Sequence, residues 1–89
     1  MNRLNKFPGV VAEEMGEELL LYRPSTHQAI HLNGTAAAVW KLCDGTRTVK
    51  DVATCLEAAF PDDKARIASE VQDVVDQLLR EGALTESPG

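Results

Sequence analysis

No apolar run in this 89-residue sequence approaches the roughly 20 residues that a membrane-spanning helix needs. The N-terminus has no signal-peptide core either, since Leu4 and Phe7 stand among Asn, Arg and Lys. We therefore expect a cytoplasmic protein with no membrane partner. Basic charge is also scarce: nine Lys and Arg against fourteen Asp and Glu leave a formal charge of −5. Glu13, Glu14, Glu17 and Glu18 crowd one short stretch, and no basic stripe answers them. Binding to duplex DNA draws most of its non-specific affinity from neutralised phosphates, so nucleic acid is not an expected partner.

The residues that usually carry chemistry are few. Cys43 and Cys55 stand in neither a C-x-x-C nor a zinc spacing, and they read as small hydrophobes of helical segments. His27 and His31 are the two histidines. On a helix they would share a face; on a strand they stand roughly 13 Å apart, too far to hold one metal ion. The strand reading developed below is the stronger, so no metal and no other cofactor is expected. There is no P-loop, no G-x-G-x-x-G and no Ser–His–Asp or Cys–His arrangement. Carboxylates abound, but a catalytic pair needs a pocket that the sequence does not show. The expectation is a protein that is not an enzyme.

What is present is well-punctuated secondary structure. Val10 to Glu14 and Glu17 to Arg23 read as strands joined by a tight hairpin at Met15-Gly16. Leu19-Leu20-Leu21-Tyr22 is an unbroken apolar run, suited to a central strand covered on both faces. After a turn at Pro24-Ser25-Thr26, residues His27 to Leu32 alternate: Gln28, Ile30 and Leu32 face one way, His27, Ala29 and His31 the other. Asn33 caps a helix whose apolar face is Ala36, Val39, Trp40 and Cys43, and Asp44-Gly45 ends it. Thr48 caps a second helix, with Asp51 in the weaker form of a capping box; Val49, Val52, Ala53, Leu56, Ala59 and Phe60 form its buried face. Pro61 breaks that helix. Asp62 or Asp63 caps a third, running to about Glu81 and stopping at Gly82, with Ala83-Leu84 as a last extended contact.

This order describes an α+β domain over residues 8–85, a three-stranded antiparallel sheet followed by three helices. Residues 1–7 and 86–89 read as flexible termini. The two short helices about Asp44-Gly45-Thr46-Arg47 have the form of a helix-turn-helix. The third helix carries Ile67, Val71, Val74 and Leu78 in one stripe, flanked by Ala68, Val75 and Leu79. That arc is broader than one small core needs. Part of it is expected to face a groove, the alternative being a deeply embedded helix.

In a three-stranded meander the first and third strands are edges, and exposed edges invite pairing with another chain. The first ends in Glu13-Glu14, which blunts it. The third, His27-Gln28-Ala29-Ile30-His31-Leu32, carries no Lys, Glu, Asp or Pro. An undefended edge beside a helix with spare apolar surface is the arrangement that captures an extended peptide by strand addition. Cover by a terminus, or pairing of the open edges between two copies in a homodimer, is the competing use.

The stretch "AIHLNGTAAAVWKLCDGTRTVKDVATCL" resembles the PqqD family: a strand ending in Leu-Asn, a Thr-Ala helix, then Asp-Gly, Thr-Val and a second helix. "EVQDVVDQLLREGAL" is similar to the third helix of that family, and the resemblance runs from about Val10 to Leu84. It implies a winged helix-turn-helix-like recognition element that binds the leader of a ribosomally synthesised precursor peptide. The leader would add to the third strand, against the third helix. Carried over by position, the peptide-binding residues are His27, Gln28, Ala29, Ile30, His31 and Leu32 with Val71, Val74, Val75 and Leu78. The implied role is a peptide chaperone that presents the precursor to a modifying enzyme, such as a radical S-adenosylmethionine protein of pyrroloquinoline quinone (PQQ) biosynthesis or a leader peptidase. Arg23-Pro24-Ser25, Trp40 and Glu70 depart from the pattern of the quinone-synthesis members. Recognition of another modified peptide, such as a lasso peptide, stays open, as does a winged-helix DNA-binding regulator.

Overall fold

The computed structural model describes residues 2–88; Met1 and Gly89, both within the expected loose ends, lie outside the described residues. Its elements run β1 (Asn2–Lys6), β2 (Val11–Met15), β3 (Glu18–Arg23), β4 (Gln28–Leu32), α1 (Gly34–Leu42), β5 (Asp44–Arg47), α2 (Val49–Ala59), a 3-10 turn (Pro61–Asp63), α3 (Lys64–Arg80) and β6 (Leu84–Pro88). This is an α+β fold with three helices and two antiparallel sheets.

The meander read from the sequence is the sheet β2-β3-β4, with the Leu-rich strand in the middle. Gly16 sits first in the two-residue loop between Met15 and Glu18 at φ 68°, the sign that a type II′ turn requires there. Leu19, Leu21, Ile30 and Leu32 point inward and are buried. The expectation that β3 is covered on both faces does not hold: Leu20 is only half-buried and Tyr22 is exposed. The reason is that α1 packs on the inner face, leaving the other face to solvent.

The second sheet, in the order β5-β1-β6, was not anticipated. Asn2–Lys6, read as part of a flexible terminus, pairs along its whole length with Leu84–Pro88, and also with Asp44–Arg47. The Asp44-Gly45-Thr46-Arg47 segment, read as a turn, is therefore the strand β5. These strands are short and polar, and β1 contributes a single core side chain, Leu4, at 1% exposure. Non-local pairing with so little apolar signature leaves almost no trace in a local pattern.

β1 also fastens α1. A helix end leaves its last carbonyls unpaired and carries partial negative charge, so cations are favourable there. Lys6 Nζ donates to the carbonyls of Lys41 (3.1 Å) and Cys43 (3.3 Å) and lies 5.0 Å from the centre of the Trp40 ring. Arg47 Nη1 of β5 donates to the Leu42 carbonyl at 3.1 Å and to Asp44 Oδ2 at 3.0 Å. Hydrogen bonds from the Thr46 hydroxyl and amide, with Arg47 nearby, hold the Asp44 carboxyl below its ordinary range.

The helix caps follow the sequence closely at two of three starts. Asn33 Oδ1 accepts from Ala36 N–H at 2.9 Å, and Thr48 with Asp51 forms a complete capping box. The third start differs. Asp63 makes no side-chain cap; its carboxylate pairs instead with Arg66 at 3.1 Å, one turn into α3. Gly82, at φ 75°, closes α3: its N–H donates to Leu79 O and that of Ala83 to Leu78 O, the two bonds of a Schellman motif.

One core serves both sheets and all three helices, drawing Leu4 and Leu84 from the second sheet and Ile67, Val71, Val75 and Leu78 from α3. Cys43 is fully buried in it, where desolvation first, opposed by Lys6, pushes its thiol up to about 11. Cys55 is exposed on α2, because it lies about 80° round the helix from the buried Val52 and Leu56.

Two outcomes follow. Leu4→Ala should cost about 2–5 kcal/mol in urea unfolding, as for a buried leucine, whereas a loose terminus would give no measurable change. A disulfide thiol reagent at pH 8 should titrate one thiol in the native protein and two in urea; two in the native state would contradict the burial of Cys43.

Candidate functional site

The β2-β3-β4 sheet has two edges at which a partner strand could pair. On β2, Glu13 and Glu14 are exposed, and Glu14 Oε1 lies 3.0 Å from Lys41 Nζ on α1. On β4, Ile30 and Leu32 are buried while Ala29 and His31 are exposed on the outer face. His31 Nε2 lies 2.6 Å from Glu18 Oε1 across the neighbouring strand. His27 does not join the strand. It sits at φ 55° as the last loop residue, with Nδ1 3.2 Å from the Tyr22 hydroxyl, so the edge spans Gln28–Leu32. The backbone must reverse within the loop from Pro24 to His27, and the left-handed conformation at His27 completes that reversal.

Hairpin geometry decides which backbone groups of β4 are open. Met15 and Glu18 are partners across a two-residue loop, so they form a hydrogen-bonded pair. Such pairs alternate along an antiparallel ladder, so Glu18, Leu20 and Tyr22 direct N–H and C=O towards β2. Leu19, Leu21 and Arg23 therefore direct theirs towards β4, where their partners are Leu32, Ile30 and Gln28. That leaves the N–H and C=O groups of Ala29 and His31 directed at the open edge.

α3 runs beside this edge in the opposite sense. Its first turn faces Gly34 and Thr35, just beyond β4, across a pocket; at its far end the Glu81 carbonyl accepts from Arg23 Nη1 at 3.1 Å. Arg23 is the partner of Gln28, so the C-terminal end of α3 lies towards the Gln28 end of β4. At about 100° per residue, Asp63, Arg66, Glu70, Val74, Gln77 and Glu81 share the flank that faces this way. Arg66 binds Asp63 and reaches Glu70 at 3.7 Å.

This placement corrects the expected helix face. Val71, Val75 and Leu78 are core residues with essentially no exposed surface; only Val74, half-buried, sits on the flank towards the edge. The broad apolar arc has a structural cause. The second sheet, which the sequence did not reveal, covers the side bearing Val75 and Leu79, alongside Leu4 and Asn2 of β1.

At the Leu32 end the edge opens onto a pocket of about 370 Å³ between the starts of α1 and α3 and the end of α2. Ala38, Leu56, Phe60 and Ile67 form its apolar wall, with Gly34 and Thr35 beside β4 and Glu17, Asp63 and Arg66 around it. Phe60, expected in the core, is 55% exposed because α2 ends at Ala59 and the 3-10 turn begins at Pro61. Pro61 was the available signal, since the residue before proline is driven out of helical conformation.

A short helix-rich fold with a meander and an open third strand matches a known family. The family model described as coenzyme PQQ synthesis protein D (PqqD) matches residues 18–84. The chain belongs to the PqqD family. The PqqD match covers β3 through the start of β6, and so includes β4, α3 and every lining residue of the pocket but Glu17. Among solved structures, this PqqD-family chain is similar to one described as TbiB1 in complex with the TbiA(beta) leader peptide. The TM-score is 0.79 at 15% identity, over 96% of this chain and 99% of that one. It is also similar to the heterocyclase TruD, with a TM-score of 0.70 at 17% identity over 98% of this chain and 12% of that one. A third structure, a heterocyclase in complex with substrate and cofactor, gives 0.69 at 18% identity, over 99% of this chain and 11% of that one. At such identities the likeness is one of fold. No curated protein matches the chain in sequence.

Amide hydrogen exchange checks the edge assignment. Ala29 and His31 should exchange at least tenfold faster than Ile30 and Leu32, whose N–H groups bond to β3; uniform protection through β4 would mean that the edge is covered.

Proposed function

We propose that this PqqD-family chain is a non-catalytic recognition element. It binds the leader of a ribosomally synthesised precursor peptide as an added strand on β4 and presents the peptide to a modifying enzyme. The observation that carries this reading is the pair Ala29 and His31, whose backbone groups point out of an edge that bears no Lys, Asp, Glu or Pro. The resemblance to TbiB1, solved in complex with a leader peptide, supports the choice of a leader as ligand. The occurrence of the same fold within two heterocyclase chains supports a modifying enzyme as the second partner. The family model favours PQQ synthesis as the pathway; the TbiB1 likeness favours another modified peptide, and the enzyme identifies which.

In this reading Gln28, Ile30 and Leu32 hold β4 to the sheet, Ala29 and His31 bond the peptide backbone, and Val74 meets peptide side chains. The acidic balance of the chain weighs against duplex DNA as the ligand.

Proline substitution separates the two roles along one strand. Ala29→Pro removes an N–H that faces the edge, so the fold should persist by circular dichroism. Binding of peptides recovered from a random-sequence display library should weaken about tenfold or more, the equivalent of one net hydrogen bond plus the clash of the ring. Ile30→Pro removes a ladder bond and a core side chain and should unfold the domain. Unchanged binding by a folded Ala29→Pro variant would place the peptide elsewhere.

A further inference from the structure

An antiparallel sheet that is covered on one face normally turns polar side chains outward on the other. The β2-β3-β4 sheet departs from this. α1 packs on its inner face, yet the outward positions of β2 and β3 carry Val11, Met15, Leu20 and Tyr22. Four large apolar side chains of the described chain are exposed, and three of them stand here: Val11 at 58%, Met15 at 51% and Tyr22 at 38%. They fall in cross-strand rows, Val11 level with Tyr22 and Ala29, and Glu13 level with Leu20 and His31. Acidic groups on the face are two. Glu18 pairs with His31 at 2.6 Å, and Glu13 has no ion-pair partner among the described residues. A contiguous apolar patch rimmed by charge is the mark of a docking surface.

We propose that this face seats the modifying enzyme, which covers it with a folded apolar surface bearing Lys or Arg opposite Glu13. The inference rests on the reading that a second partner modifies the bound peptide, and it assigns that partner a surface. Charge decides against a second copy. Two such faces packed about a two-fold axis set Glu13 and Glu18 of one copy against those of the other, in chains that each carry −5. Main-chain hydrogen bonding decides against the precursor peptide. A lone extended segment laid flat on a sheet face buries N–H and C=O groups that have no partner, whereas the β4 edge satisfies them. A folded protein has its own backbone bonds in place and brings only side chains. Position links the face to the peptide. Ala29 and His31 direct backbone groups to the open edge and side chains to this face, so an added strand widens the face by one strand. A protein seated on it therefore borders the peptide that it modifies.

β2 lies two strands from the open edge, roughly 10 Å away, so its outward side chains can be changed without touching a peptide on β4. The test uses the intact chain in the cells that make it, with the photocrosslinker p-benzoylphenylalanine in place of Met15 or, as a control, of the exposed Thr54 on α2. The protein crosslinked from position 15 and not from position 54 is identified by mass spectrometry, purified and titrated against the chain by calorimetry. Val11→Thr combined with Met15→Thr keeps strand-forming residues and should weaken that binding about tenfold or more, with circular dichroism unchanged. Glu13→Lys should weaken it as well, and should flatten the loss of affinity that about 0.5 M salt causes in wild type. Both variants should bind peptides selected from a random-sequence display library as wild type does. Equal binding of the purified protein by the double variant overturns the face assignment. So does a crosslink to a second copy, to the peptide alone, to a protein that is not an enzyme, or to nothing. If instead the selected peptides weaken on the double variant and not on Ala29→Pro, they lie on the face, and the strand-addition reading itself falls.

Discussion

The pairing of β1 with both β5 and β6 is the constraint on which the rest of this small fold depends. It joins the two ends of the described chain and lays Leu4 and Leu84 under α2 and α3. Through Lys6 and Arg47 it also supplies the cations that satisfy the last carbonyls of α1. With α1 fastened at one end by Asn33 and at the other by these two side chains, the sheet packed on α1 is placed as well. α3 is then trapped between α1, α2 and the second sheet, and only its remaining flank is left to face β4. The exposed geometry of the edge is thus set by contacts on the far side of the molecule.

Backbone hydrogen bonds alone do not make such an edge a strong binder. Ala29 and His31 offer four groups, and at about 1 kcal/mol net each they contribute about 4 kcal/mol. Association costs at least about that much in lost translational and rotational freedom. Main-chain pairing therefore fixes register and direction, and affinity must come from side chains that are buried on binding. On α3 little is available: Val74 is the one apolar residue on a flank otherwise formed by Asp63, Arg66, Glu70, Gln77 and Glu81. Accessible apolar surface also lies beyond the Leu32 end, at Phe60 and Ala38.

Legibility in the sequence followed the range of the interaction. The strands of the meander, the Asn33 and Thr48 caps and the Gly82 stop are local signals, each read from a few consecutive residues, and the structure has them within a residue or two. The undefended third strand was legible for the same reason, as a run without charge or proline. β1, β5 and β6 were not, because each is four or five residues with at most one buried apolar side chain, and its stability comes from a partner forty or eighty positions away. That single omission produced the error on α3: without the second sheet, Val71, Val75 and Leu78 had more apolar surface than the core required. Which β4 groups face outward was also beyond the sequence, since it depends on the parity of the ladder counted from the Gly16 turn.

The burial of those three α3 residues bears on the proposed recognition. To reach Val71 or Val75 a peptide would have to lift the helix from the core, exposing side chains worth about 1.5–3 kcal/mol each. The Schellman bonds at Gly82 and the Arg23 bond to the Glu81 carbonyl oppose that movement at the C-terminal end. In the proposed mode, a docked strand would meet a helix that stays in place, with Val74 and its polar neighbours on the facing flank. Selectivity in the proposed arrangement would come from what fits a preformed surface, and a peptide whose side chains demand a wider groove would be opposed by the stability of the core itself.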